Sequence, residues 1–351
     1  MKKILLSCLI LLTILIGNPL TAMAEEQASP DIIEKEPIGK ELIDKLILES
    51  LESPSQKLPP NFLRLSDETT DTVDDLGPLK DLAGTWVGKG WNMIAVPINS
   101  RLPRNSVGCP GRLPKDDNES FCVEIMPYVE TLTFTPIGAP VPNRGFPIDT
   151  FVVGLHYQQV VSDANTFQPL HIENGMWLLL DKEKKIVSRL SSIPHGDSLL
   201  AIGKYFETEG NFQIPAIQGL PALDRPALGL GYNTPYLRAE GVPPFVPSNP
   251  NQMLQDVIDK QKLVKTVVLD NVSTENEGGI SNIPFIKKNA DATSFESTFW
   301  IEEVEDENGN EFLQLQYSQT TALEFINDFT SQDPDKLIMW PHVDVATLVK
   351  Q

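Results

Sequence analysis

The sequence predicts an all-β protein, an antiparallel up-and-down barrel of about ten strands. Three observations carry this. Apolar and polar residues alternate with period two over most of the chain after residue 77. The alternating runs are short and sequential, and turn residues separate them. Between the last two central runs stands Glu307-Asn308-Gly309-Asn310, whose Asn-Gly pair is a strong hairpin signal.

The elements follow from the N-terminus. Lys2 and Lys3 precede the apolar run Ile4 to Ile16, and Ala22-Met23-Ala24 supplies small residues for a signal peptidase. Residues 1–24 therefore read as a secretory signal peptide, and the protein as exported, periplasmic or extracellular. The run is short for a membrane anchor, and Cys8 within it would be discarded. Residues 25–76 read as an appendage. Leu42, Ile43, Leu46, Ile47 and Leu51 fall at helical spacing, and the acidic, Thr-rich stretch Ser66 to Asp75 suits a linker.

The barrel domain is expected over 77–351. Its opening strand is Thr85 to Val96. Tyr128, Glu130, Leu132 and Phe134 mark the next dry face. Further strands are read at Phe151 to Val161, His171 to Leu180, Lys185 to Ile193, Ser198 to Lys204 and Leu263 to Asp270. Phe295, Ser297, Phe299 and Ile301 form one face of a later strand, Leu313, Leu315 and Tyr317 one face of the next, and Trp340 to Lys350 closes the chain. Residues 211–262 interrupt the pattern. They are dense in Pro and Gly and then read as a short helix with Asn249 as N-cap and Pro250 in first position. This segment is expected to be inserted between barrel strands and to cover one barrel mouth.

Composition excludes some partners. The formal charge is −20, or −22 once Lys2 and Lys3 leave with the signal. That argues against nucleic acid and anionic membrane surfaces. No stretch after the signal is long and apolar enough to insert stably in a membrane as a helix. Cys109 and Cys122 flank a loop rich in Pro, Gly and charge. A disulfide between them is the expectation in an oxidising compartment, with two free thiols as the alternative. Glycosylation-type triplets at Asn118 and Asn271 would matter only in a eukaryotic host. There is no Gly-x-Ser-x-Gly elbow, no phosphate-cradling glycine loop and no His-Glu-x-x-His.

Three local patterns occur in order. The first is Leu82-Ala83-Gly84-Thr85-Trp86-Val87-Gly88-Lys89-Gly90. The second is Leu170-His171-Ile172-Glu173-Asn174-Gly175-Met176-Trp177. The third is Trp340-Pro341-His342-Val343-Asp344-Val345-Ala346-Thr347-Leu348-Val349-Lys350. Together they resemble the opening, middle and closing motifs of the nitrobindin-type haem-binding barrels, in the fatty-acid-binding-protein-like, or calycin, group. The sequence departs from that family at Asn92, where a third glycine is expected, and at Met93 to Pro97, which replaces a Tyr-Pro-Thr segment.

The resemblance implies haem as cofactor, with His342 as the axial iron ligand and nitric oxide or peroxide reaching the open position. A weak peroxidase or isomerase-type haem activity would follow. It implies a ligand pocket involving Trp86, Gly88, Gly90, Ile94, His171, Glu173 and Met339. The residues alone allow more: Trp86 as an end plug, Gly88 and Gly90 as sites of sharp bending or ligand approach, and His171 with Glu173 as either a ligand contact or a structural pair. His156 and His195 read as wall and turn, and Arg144 as loop. The main alternative is a lipocalin-like carrier of a hydrophobic small molecule without haem. A barrel filled by its own side chains, and a hydrolase or isomerase with a perturbed carboxylate, are further alternatives.

Overall fold

In the computed structural model the described residues are 75–97, 121–138, 140–144, 150–221, 232–233, 236, 245–273, 278–328 and 331–351. All lie within one compact unit, Pro60–Gln351. The expected signal peptide, the helix and linker over 25–74, Cys109 and Asn118 lie outside them. Cys122 is described, on the second strand opposite Val96. Its expected pairing therefore stays an expectation.

Among the described residues there are twelve strands: β1 (Gly84–Pro97), β2 (Phe121–Pro136), β3 (Val141–Asn143), β4 (Thr150–Asp163), β5 (Pro169–Asp181), β6 (Ile186–Ile193), β7 (Asp197–Glu209), β8 (Lys262–Ser273), β9 (Gly279–Asn282), β10 (Asp291–Glu305), β11 (Glu311–Asn327) and β12 (Leu337–Lys350). A 3₁₀ turn precedes β1 at Gly77–Leu82. Helices α1 (Gln252–Ile258) and α2 (Pro284–Asn289) interrupt the later part. Ten strands pair in the order β2-β1-β12-β11-β10-β8-β7-β6-β5-β4, and β2 pairs with β4 to close the ring. The protein is a closed, ten-stranded antiparallel barrel of calycin-like kind. Closure leaves no edge in the ring. Outside it, β3 pairs with β4 and β9 with β7.

The period-two reading of the sequence is the inside-outside alternation of this wall. Phe299, Ile301, Leu315 and Tyr317 belong to the interior cluster. The hairpin at 306–310 joins β10 to β11, with Gly309 at φ 79° and the Asp306 carboxylate accepting from the N–H of Asn308 and Asn310.

The Pro-rich segment lies elsewhere than expected. Ile214, Phe245, Leu254 and Ile258 pack with Met93, Val343, Val345 and Trp300, which point out of the barrel wall. Gln316, also outward, donates to the Leu254 carbonyl at 3.2 Å. The described residues of the segment thus cover the outer wall, because the outward rows of β1, β12 and β10 are apolar there and require cover. Its helix starts two residues later than expected. Asn251 is the cap residue and makes no side-chain capping bond. Instead Asn251 Nδ2 donates to the Pro215 carbonyl at 2.8 Å, and Asn249 Oδ1 accepts from the Ile217 N–H at 3.3 Å. Both asparagines fasten the Pro-rich strand to the helix.

Asn271, of the second triplet, is buried. It is 2% exposed inside the barrel and its amide donates to Ser297. No glycan could reach it.

Candidate functional site: a cavity above a buried polar layer

The barrel interior is built in three tiers. The lower tier is solid. Trp86, Leu132, Phe134, Trp177 and Leu348 fill it, and Leu76, Leu79 and Leu82 of the 3₁₀ segment close it from below. Trp86 is fully buried, and its Nε1 donates to the Leu82 carbonyl at 2.7 Å. Lys350 reaches over the Trp86 ring at 5.5 Å and donates to the Asp81 carbonyl.

The middle tier is polar. Inward-pointing positions of β2, β4, β5, β6 and β11 bring Tyr128, Glu130, Tyr157, Gln159, Glu173, Arg189 and Tyr317 together. Arg189 is 2% exposed. Its Nη2 donates to Glu173 Oε1 at 2.8 Å, its Nε to the Tyr157 hydroxyl at 3.0 Å, and its Nη1 to Gln319 Oε1 at 3.0 Å. Its guanidinium carbon stands 5.3–5.4 Å from the ring centroids of Tyr157, Phe295 and Phe299. The Tyr157 hydroxyl also donates to Glu173 Oε1. Burial alone would raise Glu173, but the Arg189 guanidinium and the His171 hydrogen bond hold it well below the usual carboxylate range.

Glu130 is the opposite case. It accepts from the Tyr317 hydroxyl at 2.6 Å and from Gln159 Nε2 at 2.8 Å, both neutral donors. Burial pushes its pKa up to about 7, against the lowering effect of those two bonds. Two carboxyls one layer deep are thus driven apart by their partners.

The upper tier is open space. A cavity of about 390 Å³ stands above the polar layer. Its floor is polar, with Tyr128, Gln159, Glu173, Tyr317 and Asp344. Its shaft is largely apolar, with Ile94, Met126, Val161, Ile193, Leu199 and Leu323 among its walls. Ile286 and Ala290, from α2 and its end, line it as well. This size suits a small organic ligand.

Three of the four histidines line this cavity: His171, His195 and His342. His171 Nε2 lies 3.3 Å from Glu173 Oε2, and its Nδ1 lies 3.4 Å from His195 Nε2. Burial lowers the basicity of His171, but Glu173 more than offsets this and its pKa is raised. His195 is lowered by burial and then by His171. His342 keeps 25% of its side-chain surface accessible, yet lies deep in the protein. Burial lowers its pKa, Asp344 opposing this. Its Nε2 is 2.6 Å from Asn92 Nδ2, which also donates to Asp344 Oδ1 at 2.8 Å.

The structure distributes the expected pocket residues unevenly. Ile94, His171, Glu173 and His342 line the cavity. Trp86, Gly88, Gly90 and Met339 do not. Trp86 belongs to the solid lower tier. A Cβ at Gly88 would collide with the β12 backbone at Thr347 and Leu348, and one at Gly90 with the Tyr128 ring. Both glycines serve close packing within the protein and not ligand approach. Met339 is 46% exposed, because it sits three residues from His342, at the opposite parity of β12. His156 faces outward and is exposed, as is Arg144. Sequence reasoning missed Asn92, Gln159, Arg189, Gln319 and Asp344. Their signal was a polar side chain in an inward-facing row, two residues from a recognised inward position in the case of Asp344.

A haem held by His342 was tested against this geometry. The Asn92 amide directs its N–H group at His342 Nε2 and at Asp344 together. In the tautomer protonated on Nδ1, Nε2 accepts from this amide. Nε2 is engaged by Asn92 and lies 3.5 Å from Asp344 Oδ2. Among the described residues the cavity walls also contain no lysine or arginine to meet propionates. As arranged, these residues do not fit a haem. Among the described residues no group of three or more His, Cys, Asp or Glu is placed to hold a metal ion, and no helix is long and apolar enough to cross a membrane.

No family model and no curated protein matches the chain. Among solved structures it is similar to one described as "Crystal Structure of Rv2717c from M. tuberculosis", with 14% identity, 78% of this chain and 98% of that chain covered, and a TM-score of 0.37. A likeness of that size carries no argument about the site.

Proposed function

We propose that this barrel is a binding protein for a small, largely apolar molecule, without haem. The observation that supports it is the cavity of about 390 Å³, an apolar shaft standing on a hydrogen-bonding floor. The solid lower tier closes the cavity from below. Desolvation of the ligand body against Ile94, Val161 and Leu323 supplies affinity, and the floor sets orientation. The neutral fluorophore N-phenyl-1-naphthylamine tests this reading. It is expected to bind saturably with enhanced, blue-shifted emission, and Ile94→Trp, which fills the shaft, is expected to abolish this while leaving the melting curve cooperative. Emission that never rises, or that ignores Ile94→Trp, would sink the proposal. Haemin added to the same protein is expected to give no His342-dependent Soret band. A saturable band lost in His342→Ala would replace this reading with the haem one.

The mature chain is placed outside the cytoplasm in the same proposal, on the strength of Lys2, Lys3 and the Ala22-Met23-Ala24 site. The intact mass of the exported protein checks this. It is expected to begin at Glu25 and to lack the two thiol hydrogens of Cys109 and Cys122. A mass that retains Lys2 and Lys3 would overturn the assignment.

A further inference from the structure

We propose that the cavity selects a cationic amphiphile: an apolar body whose protonated amine is held by the acceptors of the cavity floor. This rests on the binding reading above and adds the chemical class of the ligand and its orientation.

The first support is an unpartnered acceptor. Gln159 is 3% exposed and lines the cavity. Its Nε2 donates to Glu130 Oε1 at 2.8 Å and to the Tyr317 hydroxyl at 3.1 Å. Facing an ionised Glu130 the amide keeps its nitrogen toward the carboxylate, because turning it round would set oxygen against oxygen. That leaves Oε1 buried with no hydrogen-bond partner among the described residues. A buried acceptor in this state calls for a donor from a ligand or an ordered water. Asp197 Oδ1, in the upper wall, is in the same state. Both unpartnered buried atoms of the wall are acceptors, and neither is a donor.

The second support is charge. Four carboxylates line the cavity: Glu124, Glu173, Asp197 and Asp344. Among the described residues the guanidinium near the floor is that of Arg189, which is not part of the lining. Its bonds to Glu173, Tyr157 and Gln319 occupy it. His171 shares that same Glu173. Glu173 thus faces both Arg189 and His171, and Asp344 is left with neutral donors, Asn92 Nδ2 at 2.8 Å and Gln319 Nε2 at 3.3 Å, and with His342 at 3.5 Å. An anionic head group would meet this floor with no counter-ion. An ammonium would supply both a charge for Asp344 and a donor for Gln159.

The third support is the distribution of polarity along the cavity. The acceptors Gln159 and Asp344 stand at the bottom, and the apolar shaft of Ile94, Met126, Ile193 and Leu323 rises above them. The amine enters first and the apolar body fills the shaft.

Octylamine, octanol and octanoate share one chain and differ in head group. Each is used to displace N-phenyl-1-naphthylamine from the full mature protein at pH 7. Octylamine is expected to compete about tenfold or more better than octanoate, with octanol between them. Asp344→Asn and, separately, Gln159→Met are expected to narrow that gap, read in each variant as the ratio of octylamine to octanoate displacement. Octanoate competing as well as octylamine, or better, would overturn the ligand class and leave the binding reading intact. An undiminished gap in both variants would overturn the assignment to this floor. A fluorophore that does not bind at all is the failure of the binding reading itself.

Discussion

At the residue scale the protein repeatedly sets a polar side chain in a place the apolar pattern would have filled. Glu302 is the sharpest case. It points outward from β10, yet the Pro-rich segment covers that wall and leaves it 0% exposed. Only Gln314 donates to it, at 2.7 Å, and its Oε1 has no partner among the described residues. Burial pushes its pKa up to about 8. Glu130 is raised to about 7 by the same cause. In both, the folded pKa exceeds the unfolded one, so the native state holds protons that the unfolded chain releases. Their contribution is full below about pH 4.5 and is lost as pH rises toward 7 to 8. Glu302→Gln is therefore expected to flatten part of the fall in stability between pH 5 and pH 8.5, on the order of 2 kcal/mol at the alkaline end. Urea unfolding at the two pH values measures this. Equal slopes in parent and variant would show that Glu302 is not held protonated.

At the element scale the first strand is the most constrained. β1 pairs with β12 and β2 along its length, and Gly88 stands opposite Leu348 and Glu130. A side chain there would press on the Thr347 carbonyl and the Leu348 backbone, which belong to the ladder and cannot turn aside. Gly88→Ala is expected to cost roughly 1–3 kcal/mol through this overpacking. Val87→Ala, at a position 41% exposed, is the control and is expected to cost far less. Denaturant midpoints compare them. The 3₁₀ turn before β1 has a matching role, since its leucines close the end of the barrel that Trp86 fills.

At the scale of the whole molecule, the same barrel wall has two different outsides. Around β1, β12, β11, β10 and β8 the outer face is a second apolar core under Ile214, Tyr236, Phe245, Leu254 and Ile258. Around β4 and β5 the outer face is open, with His156, Ile172 and Met176 exposed. This asymmetry explains why the alternation is clean in some strands and blurred in others. Trp300 reads as a misplaced apolar residue in a wet row until its cover is known. The cavity is likewise a property of the whole. It exists because the lower half of the ring is filled by large side chains and the upper half by smaller ones.

Strand existence, the inward face of β10 and β11, and the Asn-Gly hairpin were legible in the sequence alone, because alternation between neighbouring residues is a local property. So was the motif-bearing His342, which does reach the cavity. Which polar residues meet across the barrel was not legible. Asn92 and His342 are 250 residues apart in sequence, and Gln159 and Tyr317 are 158 apart. Their contact is set by how ten strands close and stagger, a long-range register that no single strand encodes. The sequence by itself determined the kind of wall this protein builds. Only the tertiary structure decided that His342 is engaged by Asn92, that Arg189 is occupied by Glu173, and that the cavity floor presents acceptors. Hydrogen-bond satisfaction depends on partners brought from distant strands, and these appear only once the ring is closed.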